Sequence, residues 1–195
     1  MEAMPAPSRA ARGRPPASSR EMIADAACEL FLEQGYEATS ITEITRRTGV
    51  SRSSFFNYFA TKSEILWFAF DARAAEVSAS LADSGIGIAE ALARFGAGEP
   101  PTTLALAIVD ARTMGVEAEL AAGRAARQLR LAEAVAARLM RDGAPSLRAE
   151  IIAAGYAGAA VAAVWRWADL GAGRHALGAV LAEGLTEAER LLGAA

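Results

Sequence analysis

The chain has 195 residues, 53% of them apolar and 22% charged, with a formal net charge of −3. That length supports one sizeable core, or a small module fused to a larger one. One cysteine (Cys28) and one histidine (His175) exclude a disulfide framework, a Ser-His-acid triad and a multi-histidine metal site, so no catalytic residue, metal or cofactor is expected.

Alanine, leucine, glutamate and arginine dominate and β-branched clusters are few, which favours helix and predicts an all-α protein. The charge is unevenly spread. Through Lys62 there are eight Arg/Lys against seven Asp/Glu, and from Ser63 onward twelve against sixteen. The first 17 residues are rich in Pro, Ala and Arg and read as a basic arm, disordered when free. Residues 1–19 lack the apolar segment of a secretory signal. The longest uncharged run, Ile151–Trp165, is short of a membrane span. A soluble, cytoplasmic protein with no membrane partner is expected.

Structure is predicted to start at Ser18. Ile23, Ala27, Leu30 and Phe31 fall on one helical stripe, Ser18 and Glu21 have capping-box spacing, and Gly35 is a C-terminal stop. Ser40 and Glu43 offer a second box, with Ile41 and Ile44 inward and Gly49 ending that helix. Ser51 caps a third helix through about Tyr58. Thr61 and Glu64 open a fourth that runs toward Leu81. Beyond Ser84 the pattern predicts a short helix in "GIGIAEALARFGAG", another from Pro100-Pro101 to about Ala111, and a long one over about 116–141. Two more follow over about 147–170 and 176–192, giving about nine in all.

Residues 40–58 read as helix, glycine-containing turn and second short helix, the helix-turn-helix layout whose second helix enters the DNA major groove. At 100° per residue Phe55 and Phe59 share one face, while Ser53, Ser54 and Asn57 lie opposite and Phe56 and Tyr58 flank the seam. The phenylalanines are predicted core and the polar face is predicted to meet bases. Asn can pair bidentately with adenine, serine can bond phosphates or bases, and Arg52 can reach guanine or a phosphate. Lys62 at a helix start opposes the dipole, which a phosphate partner would explain.

The stretch "AACELFLEQGYEATSITEITRRTGVSRSSFFNYFATKSEIL" resembles the DNA-binding domain of TetR-family regulators over about residues 20–66. The resemblance rests on Ala-Ala-x-x-Leu-Phe, Gly-Tyr, Thr-Ser, Gly-Val-Ser and Tyr-Phe-x-x-Lys in that order. It implies a helix-turn-helix domain over 18–62, a ligand-binding and dimerisation domain over 63–195, and a homodimeric repressor released from a palindromic operator by a small molecule. It also implies that Ser40 and Thr42 contact phosphates, that Arg52, Ser53, Ser54 and Asn57 sit in the groove, and that Tyr58 and Lys62 clamp the backbone. Phe56 stands where the family usually has tyrosine, leaving contact with a thymine methyl or a sugar. "RGRPP" at 12–16 resembles an arm found on many members, with Arg12 and Arg14 directed at the minor groove. "FNYFATKSEILWFAFDAR" is similar to a mycofactocin-type subgroup, some of it linked to acyl-CoA effectors.

The last two helices are the expected dimer seam. Gly155, Gly158, Ala159 and Ala162 permit close approach, Trp165 adds bulk, and Val180, Leu181, Leu185 and Leu191 give an apolar side. Phe68, Phe70, Phe95, Leu104, Met114, Leu129 and Tyr156 are the expected lining for an apolar or amphipathic effector. A helical adaptor that binds only protein, or an activator-type regulator without an effector, is the alternative. The adaptor leaves the polar face of 52–57 unexplained.

Overall fold

The computed structural model describes residues 19–83 and 85–192. Among them are ten α-helices and no strand: α1 (Ser19–Gln34), α2 (Ile41–Thr48), α3 (Arg52–Tyr58), α4 (Glu64–Ala82), α5 (Ile88–Ala93), α6 (Thr102–Val109), α7 (Ala111–Met114), α8 (Glu117–Arg141), α9 (Ser146–Gly171) and α10 (Leu177–Leu192). A 3-10 turn at Arg94–Gly96 follows α5. The all-α architecture is as expected. The count exceeds about nine because the helix expected to end near Ala111 breaks at Asp110, and α7 continues to Gly115, which takes the left-handed conformation. The arm, including Arg12, Arg14 and the cap residue Ser18, lies outside the described residues.

Helix starts follow the local chemistry closely. The Glu43 N–H donates to Ser40 Oγ at 3.2 Å and the Ser40 N–H donates to the Glu43 carboxylate at 2.8 Å, a complete capping box. Ser51 Oγ accepts from the Ser54 N–H at 3.0 Å. At α4 the box is displaced: Thr61 Oγ1 accepts from the Glu64 N–H, but the Glu64 carboxylate accepts from the Ala60 N–H. Gly49 ends α2 at φ 71°, a conformation a β-carbon disfavours.

Helix α9 lies against α8 on one side and α10 on the other. Its buried face is mostly alanine, with Val161, Val164 and Trp167, which lets neighbouring backbones approach closely. By length and composition alone α9 could cross a membrane, the one such helix among the described residues; 44% of that window is buried inside the protein. Helix α4 meets this bundle through Trp67. Its indole packs on Gly123 of α8, under the Arg127 guanidinium at 4.0 Å and 6.1 Å from the Trp165 ring. Arg127 also bonds both oxygens of Asp71, at 2.8 and 2.6 Å. Arg138, buried on α8, donates to Asp142 and to the Asp83 carbonyl at the end of α4.

Hydrogen bonds and a cation–π contact help tie the first three helices to the rest. The Tyr36 N–H donates to the Met114 carbonyl at 2.7 Å, and the Ser63 hydroxyl donates to the Glu119 carboxylate. The Arg20 guanidinium sits over both Phe59 and Phe68, 5.2 and 5.0 Å from their centroids.

Cys28 is buried in α1. Burial, with the negative charges of Asp25 and Glu29, pushes its thiol up to about 12. The thiolate is the reactive form, so alkylation by iodoacetamide at pH 8 is expected to be very slow in the folded protein and fast in guanidinium. Mass spectrometry of quenched samples reads this, and fast labelling of folded protein contradicts the burial.

Candidate nucleic-acid interface

Helix α3 is short and pinned from one side. Phe55 and Phe59 are 0% and 1% exposed and lie 5.8 Å apart in the domain core. With those two fixed, the remaining face can only point away. Arg52, Ser53, Phe56, Asn57 and Tyr58 are all exposed, and Ser54 is half-buried. The structure thus brings together on one helical turn and a half the side chains expected to meet bases. Their state differs in detail. The Ser53 and Ser54 hydroxyls both lie within 2.9 Å of Ser51 Oγ and form a small network at the start of the helix. Arg52 has its guanidinium over the Phe56 ring at 5.7 Å.

At the start of α2, Ser40 and Thr42 are exposed. The Ser40 hydroxyl also donates to Glu43 at 2.8 Å, so a phosphate would compete with the capping box for it. Hydrogen bonds from the Ser40 backbone N–H and hydroxyl hold the Glu43 carboxyl below its usual range. Arg47 is engaged elsewhere, bonding Glu33 at 2.7 Å and Glu29 at 3.4 Å on α1.

Lys62 differs most from expectation. Its ammonium donates to the Tyr36 and Thr39 carbonyls and sits 4.0 Å from the Tyr36 ring centroid. It clips the α1–α2 connection to the start of α4. The sequence signal, a cation opposing the helix dipole, was real, but two backbone carbonyls answer it here.

The expected effector lining is not gathered around one space. Phe68 lies in the joint between the first three helices and α4, edge-on to Phe59 at 5.7 Å. Phe70 and Phe95 pack edge to face at 4.7 Å, and Leu104 and Met114 are fully buried core. Tyr156 is buried on α9. Leu129 is 61% exposed on the outer side of α8, so it cannot share an interior lining with the others. Open space lies instead in a crevice of about 530 Å³ between α6, α7, α8 and α9, lined by Ile108, Leu120, Arg124, Gln128 and Trp165 among others. Arg124 covers the Trp165 ring at 4.4 Å. Sequence reasoning missed these residues; Arg124 and Gln128, four apart on α8, were the available signal.

The expected dimer residues divide in two. Gly155, Ala159, Ala162, Val180 and Leu191 line an open apolar groove of about 450 Å³ between α9 and α10. Leu181 and Leu185 are instead buried within the chain, at 0% and 4% exposure, and Trp165 leans on Trp67. Gly158 faces Gln128 of α8. A 100° step per residue turns these positions toward the chain's own core, which the apolar count alone did not reveal.

Residues 23–66 match the family described as bacterial regulatory proteins, tetR family. Over 91 residues the chain is 35% identical to a protein of Mycobacterium tuberculosis described as a mycofactocin biosynthesis transcriptional regulator, covering 46% of this chain and 45% of that one. Over 76 residues it is 31% identical to the HTH-type transcriptional repressor AcnR of Corynebacterium efficiens, covering 39% and 40%. The matches thus span less than half the length of either relative. In fold, the chain is similar to a TetR-family regulator from Syntrophomonas wolfei, with a TM-score of 0.54 at 18% identity over 90% of this chain and 95% of that one. It is also similar to the fatty acid degradation regulator FadR of Bacillus halodurans, with a TM-score of 0.51 at 16% identity over 90% and 96%.

Proposed function

We propose, from the match of residues 23–66 to the tetR family of bacterial regulatory proteins and the partial likeness to two transcriptional regulators, that this chain is a sequence-specific DNA-binding repressor that acts as a homodimer in the cytoplasm and is released by a small effector. The family is one of transcriptional regulators, not enzymes. The observation that carries the reading is α3: two buried phenylalanines fix it, and Ser53 and Asn57 are exposed opposite them, with Arg52 and Tyr58 exposed on either flank. Thr42 and Ser40 at the start of α2 supply phosphate contacts, and the arm with Arg12 and Arg14 adds affinity that does not depend on sequence. Residues 18–62 form the DNA-binding part and 63–195 the effector-binding and dimerisation part.

The open groove of α9 and α10 supports pairing with a second copy, because its small residues let two helix pairs approach. Such a dimer would set two recognition helices about 34 Å apart, one DNA turn, and imply a palindromic operator. An apolar or amphipathic effector suits the crevice beside Trp165 better than the close-packed Phe70 and Phe95. Effector binding would favour a spacing that cannot engage both half-sites, and by linkage DNA would weaken effector affinity by the same factor.

Purified protein titrated with the DNA flanking its own gene, at two salt concentrations, tests the reading. Arg52→Ala and Asn57→Ala are each expected to weaken specific binding by about 1–3 kcal/mol, without changing the melting temperature. Equal affinity for scrambled DNA would sink the sequence-specific reading. A monomer in sedimentation at the binding concentrations would remove the dimer.

A further inference from the structure

Arg52 and Phe56 are one helical turn apart on the exposed face of α3, and both reach solvent. Their side chains form a unit. The Phe56 ring stands edge-to-face on the buried Phe55 at 5.5 Å, which holds its position, and the Arg52 guanidinium lies over that ring at 5.7 Å. Among the described residues Arg52 has no carboxylate partner, unlike Arg47, whose charge is taken by Glu29 and Glu33. A guanidinium held over a ring face by a cation–π attraction still has its N–H groups available to bond a base edge. The ring edge beside it is apolar and, lacking a hydroxyl, cannot be satisfied by a phosphate.

We propose that Arg52 and Phe56 read two neighbouring base pairs jointly: Arg52 pairs with O6 and N7 of a guanine while Phe56 packs on the 5-methyl of an adjacent thymine. This rests on the DNA-binding reading above and gives that interface a base preference. The chemistry is the major-groove code, in which guanine offers two acceptors and thymine alone offers a methyl. Arg52 and Phe56, four residues apart on one short helix with the Arg52 Cζ 5.7 Å from the ring centroid, are two separate groups close enough to meet neighbouring base pairs.

The test begins with the full-length chain and a random-sequence duplex pool, from which bound sequences are recovered at moderate salt. The enriched half-site is expected to hold a guanine with a thymine beside it. Two edited duplexes then separate the contacts. Deoxyuridine removes only the thymine methyl, and 7-deazaguanine removes only the N7 acceptor. Each edit is expected to weaken wild-type binding about fivefold or more. Phe56→Ala should bind thymine and uracil duplexes alike while still responding to 7-deazaguanine, and Arg52→Ala should show the reverse. Phe56 is 44% exposed, so its removal should leave the thermal melt unchanged, which checks folding. Tight binding of the enriched duplex with no response to either edit overturns the joint readout and leaves the DNA-binding reading intact. Failure to enrich any sequence over the pool overturns both.

Discussion

Phe55→Ala is expected to abolish specific DNA binding although Phe55 touches no base. Its ring is fully buried and meets both Phe56 and Phe59, so truncation leaves a cavity at the one point that seats α3. Large-to-small changes of this kind cost about 3–5 kcal/mol. A seven-residue helix has little stability of its own, and its position comes from that packing. The cost therefore falls on the first three helices before the rest. Hydrogen exchange should show lost protection over residues 40–59 while α8 and α9 remain protected. The neighbouring Phe56→Ala, on the exposed side, should shift stability within about 0.5 kcal/mol. If both variants melt alike, the inward and outward assignment of the two rings is wrong.

Gly123→Ala is expected to destabilise the protein, against the preference of a helix interior for alanine. That preference favours the change by about 0.5–1 kcal/mol. A β-carbon at 123 would lie 2.4 Å from Cζ2 and 2.5 Å from Cε2 of Trp67, well inside contact distance. The indole cannot swing away, because Arg127, Phe70 and Trp165 hold its other sides. Overpacking of this sort costs about 1–3 kcal/mol, so the steric effect wins by up to about 2.5 kcal/mol. Gly158→Ala on α9 is the matched control. Its β-carbon would meet only Gln128 at 3.6 Å, so propensity should win and the melting temperature should rise slightly. A rise for both would mean α4 can yield at Trp67, and that its link to the bundle is softer than the geometry says.

The sequence alone carried the starts of α2 and α3 and the stop of α2, because capping and left-handed glycine are chemistry between residues a few positions apart. Ser40 with Glu43, Ser51 before α3 and Gly49 after α2 each depend on nothing distant. The sides of α3 were legible for the same reason, since 100° per residue is a local rule. Tertiary structure alone decided what needs a second element to define it. Lys62 found the Tyr36 and Thr39 carbonyls more than twenty residues away. Leu181 and Leu185 turned into the chain while Val180 and Leu191 turned toward the groove. The crevice beside Trp165 takes its lining from four helices far apart in sequence. An alanine-rich helix such as α9 tells little about which neighbour covers each side, since small residues pack equally well on any of them.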